Sequence, residues 1–215
     1  MQISLNNIIP IPLRDRLAQR KSDIWNTACS FAPGELVKIK APSGTGKTTF
    51  IHIIYKLRTD YTGTVTWNNE DIKNINAEKL AAYRQQNISV IFQDMRLFDN
   101  LTIKENIELK RIMAKPVYEA GYITEMAARL GITHILNQRA GLCSYGEQQR
   151  AAIIRALIQP FNWLFMDEPF SHLDNNNTKL AAELIQSECA KRNAGFILTD
   201  LDDDDNLPYT KKLSL

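Results

Sequence analysis

Apolar residues recur along this chain in two rhythms, one of period two and one of helical period, and the two alternate. Leu36-Val-Lys-Ile-Lys-Ala41 follows the turn signal Pro33-Gly34-Glu35 and predicts a strand. A helix is expected after it, from about Lys47 to Leu57. Thr64-Val-Thr-Trp67, closed by Asn68-Asn69, predicts a second strand, Ala77 to Gln86 a helix, and Ser89-Val-Ile-Phe92 a third strand. From Leu101 to about Leu136 the spacing turns helical, with Ile103, Ile107, Leu109 and Met113, then Met126, Leu130 and Ile132. Tyr145 to Gln159 predicts a helix apolar nearly all round, and Trp163-Leu-Phe-Met166 a buried strand that ends at Asp167-Glu168. Asn177 to Arg192, with Leu180, Leu184 and Ile185, predicts an amphipathic helix, and Gly195-Phe-Ile-Leu198 a last strand. The order predicts an α/β fold with a mainly parallel sheet, into which a helical lobe is inserted.

Composition narrows the function classes. With 44% hydrophobic and 23% charged residues, the 215-residue chain has material for one substantial core. No stretch approaches the roughly 18 apolar residues that cross a bilayer, and the N-terminus carries no continuous apolar segment before a cleavage site, so a cytoplasmic location is expected. Cys29, Cys143 and Cys189 are widely spaced and read as buried free thiols, without a metal-binding pattern. A net charge of +2 is too small to point to nucleic acid. There is no internal repeat, and the one biased tract is the acidic run Asp202 to Asp205, read as a solvated segment.

Between the first predicted strand and its helix stands Ala41-x-x-x-x-Gly46-Lys47-Thr48, a phosphate-loop pattern with alanine in place of the first glycine. In that context Ser43, Gly44, Thr45, Gly46, Lys47, Thr48 and Thr49 are the candidate nucleotide-binding residues. Gly44 and Gly46 let backbone N–H groups approach phosphate, Lys47 reaches the β- and γ-phosphates of ATP, and the Thr48 hydroxyl ligates Mg²⁺. Asp167 and Glu168 end the buried strand, at the edge where open parallel sheets bind ligands. Asp167 suits the metal through its water shell, and Glu168 suits the water that attacks the γ-phosphate.

Further segments occur in a fixed order around these two: Phe92-Gln93-Asp94, then Cys143-Ser-Tyr-Gly-Glu-Gln-Gln-Arg150, then Phe170-Ser-His-Leu-Asp174. Over nearly its whole length the chain resembles the ATP-binding-cassette (ABC) ATPases. The resemblance implies a P-loop NTPase core with an N-terminal antiparallel β subdomain and an inserted helical lobe. It divides the chain into residues 1–94 for the β subdomain and phosphate-loop core, 95–145 for the lobe, and 146–215 for the rest of the core and a short tail. It implies that Gln93 contacts Mg²⁺ and the attacking water, joining Glu168 and Lys47 in catalysis. It also implies that Ser144, Gly146 and Gln148, opening a helix, face the γ-phosphate of a second copy in an ATP-bound head-to-tail homodimer. Asp174 matches an aspartate that crosses that interface, or simply caps the next helix. Glu147 followed by Gln-Gln-Arg resembles most the lipoprotein-releasing, macrolide-export and cell-division ATPases.

The sequence departs from that family's pattern at three places. Asp200 stands where a histidine is usual, and a carboxylate there repels the terminal phosphate unless it is protonated or turned away. Cys143 and Tyr145 replace the usual leucine and glycine. No Trp, Tyr or Phe precedes Trp25, so no N-terminal ring is on hand to stack on adenine; Arg14 or Arg16 is a candidate stand-in, or an exposed loop residue. The resemblance implies an ATP hydrolase that energises a separate membrane permease from the inner face of the membrane, touching it between Gln93 and about Glu105, with Met95, Leu97 and Phe98. The alternatives are a regulatory ATP-binding switch with weak or no hydrolysis, and an ATPase acting on nucleic acid or ribosomes, for which the usual tandem cassettes or coiled-coil insertions are not seen.

Overall fold

In the computed structural model, which describes residues 1–17, 20–201 and 206–215, the chain begins with β1 (Ile3–Pro10) and the four-residue α1 (Arg14–Leu17). The acidic run Asp202 to Asp205 lies outside the described residues. Next come β2 (Ala28–Phe31), β3 (Leu36–Lys40), α2 (Lys47–Ile54), β4 (Tyr61–Trp67) and β5 (Glu70–Asp71). Then α3 (Ala77–Gln86) leads to β6 (Ile88–Ile91), followed by the helical stretch with α4 (Ile103–Ile112) and α5 (Gly121–Arg129). The chain returns through α6 (Tyr145–Leu157), β7 (Trp163–Asp167), α7 (Asn175–Arg192), β8 (Gly195–Asp200) and β9 (Lys211–Ser214).

These strands form two sheets. The first is antiparallel, in the order β2-β1-β4-β5, and the second is parallel, in the order β6-β7-β8-β3-β9. Alternation along β7 explains how the parallel sheet is covered. Leu164 and Met166 face α6 and α7 with Ile153, Ile154, Leu184 and Ile185, while Trp163 and Phe165 join Phe50, Ile51 and Trp67 on the other side. The fold is therefore an α/β core with its antiparallel sheet against one face.

Four strands went unforeseen, β1, β2, β5 and β9, and β1 and β9 have a local reason. β1 contains a bulge, with Asn7 at φ 50° and a register shift against β4 between Asn6 and Ile9, so its buried residues fall out of period two. Gly63 lies opposite: a Cβ there would sit 2.3 Å from the Asn7 carbonyl oxygen. β9 reads Lys-Lys-Leu-Ser, too polar to stand out, and it pairs in parallel with β3 at the sheet edge, so Gly195–Leu198 is not the last strand. The helix after the phosphate loop ends at Ile54 rather than Leu57, because Lys56 turns to φ 56° and the amides of Leu57 and Arg58 both bond to the His52 carbonyl.

A buried carboxylate ties the helical stretch to α7. Glu188, with a fully buried side chain, accepts hydrogen bonds from Tyr118 at 2.6 Å and Tyr122 at 3.0 Å, and pairs with Lys191 at 2.7 Å and Arg192 at 2.8 Å. Burial alone would raise the Glu188 carboxyl, but bonds from Lys191 and Tyr118 and the Arg192 charge outweigh it and hold the group below its ordinary value. Glu188→Ala strands two phenols and two cations, and is expected to lower unfolding stability by about 3 kcal/mol in urea at neutral pH. Because the folded-state value is depressed, this carboxylate stabilises the fold above its unfolded value, and the contribution is lost as pH falls through the folded one. The stability gap between wild type and Glu188→Gln should stay level above about pH 5 and close under acid, and a gap indifferent to pH contradicts the assignment.

Candidate functional site

The register of β8 between β3 and β7 puts three strand ends side by side. Ile39 pairs with Thr199, and Thr199 pairs with Asp167, so the loop leaving β3 and the acids ending β7 emerge at the same carboxyl edge. The Ala41 amide closes this edge by bonding to the Asp200 carbonyl at 2.9 Å. From there residues 42–46 turn back to start α2. Gly46, at φ 103°, is the residue before α2 and offers no side-chain cap, which leaves the first-turn N–H groups of an eight-residue helix to an anion.

That turn is held from beneath. The Trp25 ring is buried edge-on to Phe50 at 6.0 Å, its indole N–H donates to the Thr45 carbonyl at 3.2 Å, and a Cβ on Gly46 would meet Leu13 Cδ1 at 3.0 Å and Trp25 Cζ2 at 3.2 Å. Of the seven loop residues expected to bind nucleotide, Ser43, Gly44, Gly46, Lys47, Thr48 and Thr49 line a cavity of about 310 Å³, together with Leu13, Arg16, Gln93 and Glu168. Thr45 is the exception. Its side chain is buried, its hydroxyl donates to the Pro42 carbonyl at 2.7 Å, and its amide bonds to the same carbonyl at 3.3 Å, so its own groups shape the loop rather than face a ligand.

At the inner end of the cavity, Glu168 is gripped from two sides. Lys47 Nζ lies 3.2 Å from Glu168 Oε1 and also donates to the Ala41 carbonyl at 3.0 Å, while the Gln93 amide donates to Glu168 Oε2 at 3.3 Å. Glu168 itself sits at φ 47°, a strained conformation for glutamate, locked by its amide's bond to the Thr199 carbonyl at 3.0 Å. Asp167 is buried beside it. One carboxylate oxygen accepts the Thr199 hydroxyl at 2.9 Å, and the other, Oδ2, has no hydrogen-bond partner among the described residues. Thr48, Gln93 and Asp167 line a second cavity of about 200 Å³ with His52, Phe92, Asp94 and Arg96. A buried carboxylate oxygen without a partner, on a residue that shares this cavity with a threonine and a glutamine, belongs to a hard-oxygen donor set, so these residues fit Mg²⁺. His52 lies one turn past Thr48, and burial, then the Arg96 charge, pull its imidazole below the ordinary value, which keeps it neutral at pH 7.

The segment after Gln93 is shaped by groups that no motif advertises. Met95 and Arg96 both take left-handed φ values, 56° and 53°, and Arg155 of α6 donates to both their carbonyls. Asn106, buried in α4, accepts the Phe98 amide at 2.7 Å and donates to the Phe98 and Thr102 carbonyls at 3.1 and 3.0 Å. Of the three residues expected on a contact surface, Met95 is buried and Leu97 half-buried, and only Phe98 is exposed, at 62%. Met95 is thus part of the packing. Phe98 joins Leu109 and Met113 on the wall of a groove of about 220 Å³ that also includes Tyr55, Phe92 and Arg155.

Ser144, Gly146 and Gln148 stand apart and line neither phosphate-side cavity. Ser144 caps α6 in a reciprocal box with Glu147, Gln148 donates to the Cys143 carbonyl at 2.9 Å, and Tyr145 is 70% exposed against His172. Asp174 caps α7 by accepting the Asn177 amide at 2.8 Å. Asp200 lines a third cavity, with Phe170, Ser171, Asn175, Thr178, Lys179 and Asn206, and its Oδ1 accepts the Leu201 amide at 2.7 Å. It is not among the residues that line the phosphate cavity. Arg16 lines the phosphate cavity, whereas Arg14 lines a larger one, of about 860 Å³, behind α1.

Comparison with known proteins fits this geometry. The family profile described as ABC transporter matches residues 25–171. The ABC transporter ATP-binding protein YxdL of Bacillus subtilis (strain 168) is 39% identical over 163 residues, which cover 74% of this chain and 62% of that protein. This chain therefore spans less than two thirds of the length of YxdL. The lipoprotein-releasing system ATP-binding protein LolD of Geobacter metallireducens is 32% identical over 169 residues, or 78% of this chain and 75% of LolD. Among solved structures, the dimeric bacterial ABC transporter cassette MJ0796 has the same fold, with a TM-score of 0.78 and 24% identity over 93% of this chain and 88% of that one. By its matched residues and these relatives, the chain belongs to the ABC transporter family.

Proposed function

We propose that this chain is the ATP-binding and ATP-hydrolysing subunit that energises a separate membrane permease from the inner face of the cell membrane. The observation that carries the reading is Glu168 held between Lys47 and Gln93 at the mouth of the uncapped helix α2. A triphosphate entering the loop competes with Glu168 for Lys47, since one ammonium serves both anions. Once Lys47 turns to the β- and γ-phosphates, Glu168 keeps its Gln93 contact and is free to polarise a water in line with the γ-phosphate. Thr48, Gln93 and Asp167 would hold Mg²⁺, whose chemistry is to neutralise the charge that spreads over the phosphate oxygens. Thr199 fixes the Asp167 carboxylate through one oxygen, which leaves the buried Oδ2 without a hydrogen-bond partner among the described residues.

Release of phosphate becomes work through a second copy. In the proposed head-to-tail homodimer, Ser144, Gly146 and Gln148 of one copy meet the γ-phosphate held by the other, with Asp174 at the crossing; MJ0796, of the same fold, is described as dimeric, and in a second structure as bound to ADP and Pi. Gln93 connects this event to the permease through Arg96 and the Phe98 groove, whose exposed apolar wall suits an amphipathic segment of a membrane protein. Among the described residues no helix is long and apolar enough to cross a membrane, so in this reading a partner supplies the span. A second reading, an ATP-dependent regulatory switch with little turnover, draws its support from Asp200 at the end of β8.

Glu168→Gln is expected to keep ATP binding, to accumulate dimers in size-exclusion chromatography with ATP, and to release phosphate slower than wild type by about 10²–10⁴-fold. If wild type also releases none, even with membranes added, while ATP still binds, the switch reading replaces the motor. Phe98→Asp should leave ATP binding untouched yet abolish co-sedimentation with membranes of the native cell. Undiminished co-sedimentation moves the permease contact elsewhere.

A further inference from the structure

One peptide plane of the phosphate loop is set by a residue outside the loop. The Thr45 carbonyl accepts the Trp25 indole N–H at 3.2 Å, and among the described residues it meets no other donor. Trp25 is itself fixed on every side. It is 4% exposed and edge-on to Phe50 of α2, and its amide and that of Ile24 donate to the Ser22 hydroxyl oxygen at 2.9 and 3.1 Å. The amide of the next residue, Asn26, bonds to the Ile8 carbonyl of β1 at 3.0 Å, so the antiparallel sheet anchors the indole.

A trans peptide group is planar, and its C=O and N–H point in opposite directions. There is no cis peptide bond among the described residues, so a Thr45 carbonyl drawn to Trp25 turns the Gly46 N–H the other way, toward the cavity that Gly46 lines. That amide makes no hydrogen bond among the described residues and is left for a ligand. Glycine offers no side chain to resist a flip of this plane, and a flipped plane would aim an oxygen at an incoming phosphate. We propose that Trp25 is a positioning residue for phosphate binding, its indole N–H holding the Thr45–Gly46 peptide in the orientation that offers an N–H to the anion. The inference rests on the proposed nucleotide reading and adds to it a residue that belongs to none of the motifs.

The test follows the three tryptophan indole N–H signals of the purified chain by nuclear magnetic resonance while tripolyphosphate is added with Mg²⁺. An anion on the Gly46 N–H polarises the shared peptide and strengthens its carbonyl as an acceptor, so the Trp25 signal should shift. Trp163, which donates to the Met1 carbonyl, and Trp67, whose N–H has no partner among the described residues, should hold still. Trp25→Phe keeps a ring but removes the N–H, which identifies the signal, and should weaken ATP and tripolyphosphate alike by about three- to tenfold. A Trp25 signal unmoved at saturating tripolyphosphate overturns the proposal. So does a Trp25→Phe chain that binds tripolyphosphate as tightly as wild type, since packing of the ring is then sufficient. Should that variant not fold, the wild-type shift decides, with the signal assigned through its contact to Phe50. Failure of wild type to bind either ligand, or binding that survives Lys47→Ala, instead brings down the nucleotide reading itself.

Discussion

One ion pair organises this site: Lys47 to Glu168 at 3.2 Å, both side chains nearly buried. It joins the phosphate loop leaving β3 to the acid that ends β7, across a gap bridged by β8. The pair can exist only because the parallel register sets Ile39, Thr199 and Asp167 in one row, so that two loops far apart in sequence emerge next to each other. Around it the backbone is forced into conformations that β7 and the loop would not choose alone. Glu168 and Gly46 both take positive φ, and each is fixed from outside, Glu168 by the Thr199 carbonyl and Gly46 by the packing of Leu13 and Trp25. In the proposed mechanism this pair is what a triphosphate must open.

The same logic extends outward from the pair. Gln93 holds the other oxygen of Glu168, and the chain beyond Gln93 is steered by Arg155 and Asn106 to the exposed Phe98. In the proposed mechanism a change at Glu168 passes along this segment to the exposed Phe98. Glu188 acts elsewhere, where its buried charge cluster fastens the Tyr118 and Tyr122 region to α7. Such a cluster stabilises one arrangement strongly because a charge left unpaired in the interior is so unfavourable.

Much of the core was legible in the sequence, because it is encoded locally. A strand, a glycine-rich turn and a helix in immediate succession identify the phosphate loop, and an unbroken apolar run ending in two acids identifies β7. Other parts depend on distant pairing. Thr199 reads as an ordinary strand residue until the register of β8 against β7 puts its hydroxyl on Asp167. β1 hides behind its bulge and β9 behind its lysines, and the bond from the Leu201 amide to the Asp200 carboxylate is one that spacing does not reveal. Thr45 sits inside the motif, yet its hydroxyl and amide close the turn on Pro42, a detail that spacing does not reveal.

The most direct test of the account is a calorimetric comparison of wild type and Glu168→Gln binding a non-hydrolysable ATP analogue with Mg²⁺. If Lys47 must leave Glu168 to take the phosphates, removing that carboxylate's charge removes both a competitor for Lys47 and a repulsion toward the ligand, and the variant should bind several-fold more tightly. Equal or weaker binding by the variant contradicts the account, since it means that the Lys47–Glu168 pair does not stand between the loop and its nucleotide.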